Sequence, residues 1–484
     1  MVSDIKRLFR HTSIYGFGDI VGRSISFLLV PLYTNALAKD EYGVMSLAYV
    51  FIGFVNVLYI MGLNTAFIRF FTTEKENEER KTIFSTTILF LTCTSLLASL
   101  CLWLAASPVA SLLFQSEALA SYIRMMAIIL FVDTLTQFPM LILRALEQSK
   151  RYAAITVVRF VVTVALNLYF VLLLKKGVEG VLLSNVLASF LLFLLLLPLS
   201  ISYVRRSFSL ALIQRMLVFG FPLVPAVLCV LAIDLSDRYI LEHFVGLEQV
   251  GVYSLGYRLG MIMTLFVSAF RIAWPPFLLT VEKQDNAKEI YAKVLTYFLL
   301  TGALVFLGVT LYLKVVLHLF VGEQYWEAAP VVPLILLSYL FYGVYVNFIV
   351  GIYIKKKTKP IPYITGFAAL INIVCNFLLI PRFGMMGAAS ATLLAYISMA
   401  LALGVLNQRM YPIAYEKLRI MKIVVAAAIV YTLSFIIPSA SLGVDVVLKS
   451  LLLVGFIALL IGLRFFSSAE RRSIFKMIGR TEQE

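Results

Sequence analysis

Long apolar stretches separated by short polar segments run the whole length of the chain. Fourteen of them, at roughly 12–35, 42–68, 82–106, 119–143, 152–174, 178–203, 213–235, 249–274, 291–313, 328–353, 361–380, 385–408, 420–438 and 443–463, approach the ~20 residues a helix needs to cross a bilayer. No polar-rich block exceeds about twenty residues, which excludes a large soluble domain. The pattern predicts an all-α, polytopic membrane protein of about 14 transmembrane helices.

The polar segments orient these helices. Counting from a cytoplasmic N-terminus, the inner segments hold roughly 27 of the 41 Lys and Arg residues, against about six in the outer ones. Both termini are therefore expected in the cytoplasm, with the protein in the cytoplasmic (inner) membrane. Only 14% of the 484 residues are charged, 61% are hydrophobic, and the mean hydropathy is +0.95. A soluble domain carries about 25% charged residues. The net charge of +15 invites a nucleic-acid partner, but most of it lies in short loops where topology already requires it, so no nucleic acid is expected. Attraction to anionic membrane lipids follows as a by-product. Cys93, Cys101, Cys229 and Cys375 all fall within predicted spans and form no CxxC, so they read as buried free thiols. The first apolar stretch is too long for a signal-peptide core and is expected to remain as the first helix.

A repeat divides the chain. Glu41-Tyr-Gly-Val-Met-Ser-Leu-Ala-Tyr49 returns 208 positions later as Gln249-Val-Gly-Val-Tyr-Ser-Leu-Gly-Tyr257. Tyr15-Gly-Phe17 is echoed by Phe219-Gly-Phe221, and Lys176-Gly-Val-Glu-Gly-Val181 by Phe383-Gly-Met-Met-Gly-Ala388, at offsets of 204 and 207. Spans 1–6 thus correspond to spans 7–12. An even number of spans per unit gives two parallel six-helix lobes, 1–206 and 207–410, with 411–484 adding a C-terminal helical hairpin and a cytoplasmic tail. Duplicated bundles of this kind form transporters with a shared central site. The echoed glycines read first as packing devices in tight turns and at helix starts. Gly16, Gly18, Gly22 and Pro31 in span 1, Pro222 and Pro225 in span 7, and Trp274-Pro-Pro276 after span 8 predict bends.

Candidate chemistry lies in charges inside the bilayer. There is no phosphate-cradling G-x-x-x-x-G-K-[ST], no nucleophile elbow, and no acidic pair at metal spacing in an exposed loop. His11, His243 and His318 are scattered. Neither catalytic residues, metal nor cofactor is expected. A charge at mid-span costs ~2.5–3.5 kcal/mol on insertion scales, so it needs a partner or a wet cavity. Asp19 and Arg23 in span 1 are four apart and can pair on one helix face. Alternatively, Arg23 is a cavity arginine for an anionic group, held by Asp19. Arg159 in span 5, Asp133 in span 4 and Arg258 in span 8 complete the substrate-binding candidates. Arg124 and Arg271, nearer span ends, can snorkel. Asp234, Asp237 and Arg238 at the end of span 7 form either a self-satisfied local network or a gate and ion-coupling site. The deep set is richer in arginine than in carboxylate, and the guanidinium fork suits phosphate oxygens. Asn56, Asn64, Asn167, Asn347, Asn372 and Asn376 serve either as interhelical glue or as partners for sugar hydroxyls.

Tyr15-Gly-Phe17 with Arg23, the Glu41-Tyr-Gly-Val44 start of span 2, its echo at Val250–Leu255, and the Lys176–Gly180 and Phe383–Gly387 turns together resemble the polysaccharide flippases of the multidrug/oligosaccharidyl-lipid/polysaccharide exporter superfamily. The resemblance implies two six-helix lobes around a basic cavity. It also implies an undecaprenyl-pyrophosphate-linked oligosaccharide as substrate, moved from inner to outer leaflet by alternating access for cell-surface polysaccharide biosynthesis. In the related lipid II flippases, arginines of the first and eighth helices and an acidic residue of the seventh line the cavity; Arg23, Arg258 and Asp234 or Asp237 look like their counterparts. The expected protein is a monomer working beside polysaccharide assembly proteins, with a monovalent cation or proton as candidate coupling ion. A lipid II flippase and a cation or drug antiporter of the same fold remain alternatives. A membrane-embedded glycan polymerase is disfavoured by the short outer loops.

Overall fold

In hydrocarbon every backbone N–H and C=O must find its partner within the chain, so the apolar stretches have helices as their outlet. The computed structural model describes residues 28–74, 76–282, 284–355, 357, 359–436 and 442–466, and among these the regular structure is helical, without strands. In chain order the helices are α1 (Val30–Ala36), α2 (Lys39–Ile60), α3 (Leu63–Thr73), α4 (Asn77–Leu104), α5 (Ala106–Phe114), α6 (Ala120–Ala145), α7 (Ser149–Asn167), α8 (Gly177–Tyr203) and α9 (Leu210–Gly220). They continue with α10 (Val224–Val245), α11 (Leu247–Gly260), α12 (Ile262–Val281), α13 (Ala287–Phe320), α14 (Val331–Asn347), α15 (Val350–Lys355), α16 (Pro360–Met410), α17 (Lys417–Ile436) and α18 (Leu442–Gly462).

Twelve helical segments among the described residues are long and apolar enough to cross a membrane. The 51-residue α16 covers two of the expected spans, because Gly384 breaks it with φ 53° and ψ −131°. Most of the first expected span, including Asp19 and Arg23, lies outside the described residues.

Local chemistry shapes several helices. A 3-10 turn at Phe221–Leu223 separates α9 from α10 where Pro222 and Pro225 predict a bend. The Trp274-Pro-Pro276 segment behaves differently: α12 continues through both prolines to Val281. Within a membrane, neighbouring groups and local adjustments re-satisfy the carbonyls a proline frees, so the helix need not end. After α7, Leu168–Leu173 forms a π-helical segment that the sequence pattern does not signal. Cys93 and Cys101 lie exposed on α4, on the same flank as Leu89, Leu96, Leu97, Leu100 and Leu104, and not in the interior. That flank is uniformly apolar, and in a spanning helix such a face suits lipid, where a thiol is as well placed as a leucine.

By packing, the chain falls into two units. One runs to Leu259 and takes in Thr365–Ala395; the other comprises Gly260–Ile364 and the chain from Tyr396 onward. These units mark packing, a different property from the sequence echo on which the expected lobes rest.

In the first unit the echoed motifs touch one another. A Cβ on Gly43 would lie 2.2 Å from the Leu247 carbonyl oxygen, and one on Gly251 2.0 Å from that of Lys39. One turn on, the Ser46 and Ser254 hydroxyls, 208 positions apart, are 2.6 Å from each other. Equivalent residues that meet in this way lie across a local two-fold axis, and only glycine permits the approach. The turn glycines pair with the same motif. Gly177, at φ +54°, sits under the Glu41 carboxylate, and Gly384 under the Gln249 amide, with ideal Cβ distances of 2.6 and 4.0 Å. Glu41 also accepts the Ala38 N–H at 3.0 Å, capping α2. An aromatic core of Phe67, Phe71, Phe84, Phe138 and Tyr203 fastens α3, α4, α6 and α8 in the same unit.

In the second unit the C-terminal hairpin is tied in by polar contacts. Lys449 of α18 donates to the Ser434 carbonyl of α17 at 2.9 Å, and the Tyr312 and Ser450 hydroxyls lie 2.6 Å apart.

Candidate functional site

Four helices of the first unit each carry a polar stripe at helical spacing. On α2 it is Tyr49 and Asn56, with Gly53 between them; on α6, Asp133, Gln137 and Arg144; on α7, Tyr152, Thr156, Arg159 and Thr163; on α8, Asn185 and Ser189. Polar residues on one face of an otherwise apolar span mark the side turned from lipid. These stripes converge on a cavity of about 920 Å³, which Tyr33 of α1 and Arg258 of α11 also line; Ser189 reaches it through Asp133.

At mid-cavity, Arg159 Nη2 donates to both oxygens of Asp133, at 3.3 and 3.4 Å. Ser189 Oγ donates to Asp133 Oδ1 at 2.7 Å, so α6, α7 and α8 meet at one carboxylate. Toward the Asn185 end, the Asn185 amide donates to Tyr49 OH at 2.9 Å and to its own helix at 2.8 Å. Tyr33 OH donates to Asn167 Oδ1 at 2.9 Å behind the wall. Toward the opposite end, Arg144 donates to the Tyr152 hydroxyl and lies 4.7 Å above its ring. Asp133 and Arg144 are eleven residues apart on α6, which at 1.5 Å per residue is roughly 16 Å of cavity length.

A second charged cluster in the same unit is sealed. Asp237 is fully buried and Arg238 nearly so, with their ion pair at 3.0 Å. Arg238 also donates to the Asp234 carbonyl at 2.7 Å and stacks over Tyr257 at 4.3 Å. Tyr253 OH donates to Asp237, and Tyr257 OH to Asp234 Oδ1 at 3.1 Å. None of the three charged residues lines the cavity. They bind α10 to α11, and the next residue after Tyr257 is Arg258, which does line it and packs over Tyr42 at 5.7 Å. The network thus fixes the helix that presents Arg258.

The structure therefore brings together Asp133, Arg159 and Arg258 of the expected binding set, and separately joins Asp234, Asp237 and Arg238. Asp19 and Arg23 fall outside the described residues. Arg124 packs over Trp103 at 5.9 Å, and Arg271 donates to Tyr342 in the second unit at 3.1 Å. Of the asparagines, Asn56 lines the cavity, whereas Asn372 and Asn376 are buried and bond each other at 3.0 Å. Arg144, Gln137, Tyr152, Tyr49 and Asn185 are cavity residues that reading single charges misses. The signal for them is helical phase with Asp133 and Arg159.

A family model described as "Polysaccharide biosynthesis protein" matches residues 8–280, more than half of the chain. The chain belongs to that family. The MatE family model matches residues 222–378. An Lsg locus protein of Haemophilus influenzae is 22% identical over 356 residues, covering 69% of this chain and 85% of that one. An uncharacterized membrane protein of Methanocaldococcus jannaschii is 22% identical over 404 residues, 78% of this chain and 79% of its own. Among solved structures, the lipid II flippase MurJ in an inward closed conformation superposes with a TM-score of 0.74 at 14% identity, over 94% of this chain and 99% of that chain. An inward-facing multidrug resistance MATE family transporter gives 0.65 at 14% identity, over 80% and 94%. These likenesses establish the fold. By family the protein is a polysaccharide biosynthesis protein, and its twelve long apolar helical segments make it a multi-pass membrane protein.

Proposed function

We propose that the protein flips an undecaprenyl-pyrophosphate-linked oligosaccharide from the inner to the outer leaflet of the cytoplasmic membrane, with both termini in the cytoplasm. The observation that carries this reading is the composition of the cavity wall: among the described residues, Arg144, Arg159 and Arg258 face one lining carboxylate, Asp133, interleaved with tyrosine, asparagine, glutamine and threonine. Arginines suit diphosphate oxygens, and the neutral groups suit sugar hydroxyls. A drug-cation site would call for the opposite sign.

The headgroup cannot cross hydrocarbon unaided, because its charges and hydroxyls would lose their water. Inside the cavity the arginines replace that water while the polyprenyl tail stays in lipid. Exposure of the cavity alternates between the two faces, and an inside-negative potential favours outward passage of the anion by ~2.3 kcal/mol per charge per 100 mV. The Asp234–Asp237–Arg238 network acts as a latch holding α11, and Arg23 with Asp19 adds a further grip from span 1. The protein works as a monomer beside polysaccharide assembly proteins, and a monovalent cation or proton supplies any coupling.

Lipid II is the second reading, favoured by the fold shared with MurJ and by α17 and α18. Proteoliposomes loaded with either lipid separate the two. Appearance of the oligosaccharide lipid, and not lipid II, at an external glycan-oxidising probe supports the first reading. Movement of lipid II alone overturns it, and movement of an organic cation alone overturns both.

A further inference from the structure

The Asp133–Arg159 pair is built loosely for two opposite charges inside a membrane protein. A tight guanidinium–carboxylate pair uses two nitrogens at about 2.7–2.9 Å. Here a single nitrogen, Nη2, spans both oxygens at 3.3 and 3.4 Å. Nη1 and Nε of Arg159 have no hydrogen-bond partner among the described residues. The side chains remain 35% and 29% exposed, open to the cavity they line. The better contact of Asp133 is with Ser189, at 2.7 Å on a different helix. The carboxylate is thus tethered independently of the arginine. If Arg159 swings away on its long stem, Asp133 stays where it is.

Resting on the anion-cavity reading, the geometry points to Asp133 as a resident competitor for Arg159, which the substrate diphosphate displaces on binding and which reclaims the arginine to release it. A diphosphate offers more charge and two-point contact, so it wins the guanidinium from a loosely held carboxylate. The carboxylate remains within reach, so the grip never becomes a trap. A carrier needs this balance, because a site must hold its cargo firmly enough to load and weakly enough to unload. Asp133 on this account is a positioning residue that acts through Arg159, and it opposes binding instead of contributing to it.

The sign of the effect distinguishes competition from simple support of Arg159. The test uses the full-length protein in lipid nanodiscs with farnesyl diphosphate as the binding probe, and measures oligosaccharide-lipid flipping in parallel. Asp133→Asn keeps the hydrogen bond from Ser189 and removes the competing charge; probe affinity is expected to rise roughly three- to tenfold while flipping slows. Asp133→Glu carries its carboxylate further toward Arg159, and affinity is expected to fall below wild type. If Asp133 only holds Arg159 in place, the order reverses: Asn weakens binding and Glu restores it. That reversed order, in proteins that melt like wild type, overturns the proposal. Should Asp133→Asn fail to fold, the Glu variant decides alone, with binding at or above wild type counting against competition. A wild-type protein that binds no farnesyl diphosphate, together with flipping untouched by Arg159→Gln, would remove the anion-cavity reading itself. Binding by wild type that Arg159→Gln weakens, without the predicted order at position 133, would remove the competitor alone.

Discussion

Two acid–arginine pairs sit in the same unit of this protein, and the molecule treats them oppositely. Asp237 and Arg238 are 0% and 7% exposed, 3.0 Å apart, and enclosed by two tyrosine rings. Asp133 and Arg159 keep about a third of their surface open, at 3.3 Å, with the Ser189 hydroxyl on the carboxylate. Both solve the cost of a charge in a membrane. The sealed pair bonds within α10 and to the tyrosines of α11, closed off from the cavity, and so is a fastening. The open pair lines a cavity with about a third of its surface exposed, which is what the proposed binding role requires. Charge inside a span therefore marks function only when the structure leaves it unfinished.

The largest effect should come from breaking the sealed pair. Asp237→Ala leaves Arg238 buried without its carboxylate and should cost about 3–5 kcal/mol, read as a lower melting temperature in detergent and loss of folded protein; wild-type melting would show that the network is not a fastening. Gly251→Val tests the same region by shape. Its side chain would collide with the Lys39 carbonyl, whose oxygen is 2.0 Å from an ideal Cβ, and overpacking of this kind costs about 1–3 kcal/mol. Ser46→Ala should cost about 1 kcal/mol through the lost contact with Ser254, and a double-mutant cycle with Ser254→Ala should show the two effects to be non-additive. Smallest on stability is Arg159→Gln, expected below about 1 kcal/mol because about a third of its pair is open to the cavity. Equal destabilisation by Arg159→Gln and Asp237→Ala would erase the distinction between the two regions.

The helices were legible because hydrocarbon leaves the backbone few alternatives, and the sequence echo was legible because Gly43 and Gly251 are each held by a backbone carbonyl beside the other motif. Asp133, Arg159 and Arg258 stood out as lone charges in apolar runs. Arg144 did not, since it sits at a span end where topology already accounts for basic residues, and only its phase with Asp133 on α6 assigns it to the cavity. Asn185 and Tyr49 were hidden for another reason: uncharged polar residues cost little within a span and serve equally as glue. Their joining depends on α2 and α8 meeting, which no local pattern encodes. The π-helical turn at Leu168–Leu173 has the same origin, in packing and not in composition.

The central claim is that the open cavity binds the anionic headgroup of a lipid-linked oligosaccharide. Its most direct test is flipping of that lipid in proteoliposomes by the Arg159→Gln, Arg258→Gln double variant at matched, folded protein levels. The account predicts a fall of at least roughly tenfold, since each lost charge-assisted hydrogen bond is worth about 1.5–3 kcal/mol. Flipping at the wild-type rate by that folded double variant would contradict it.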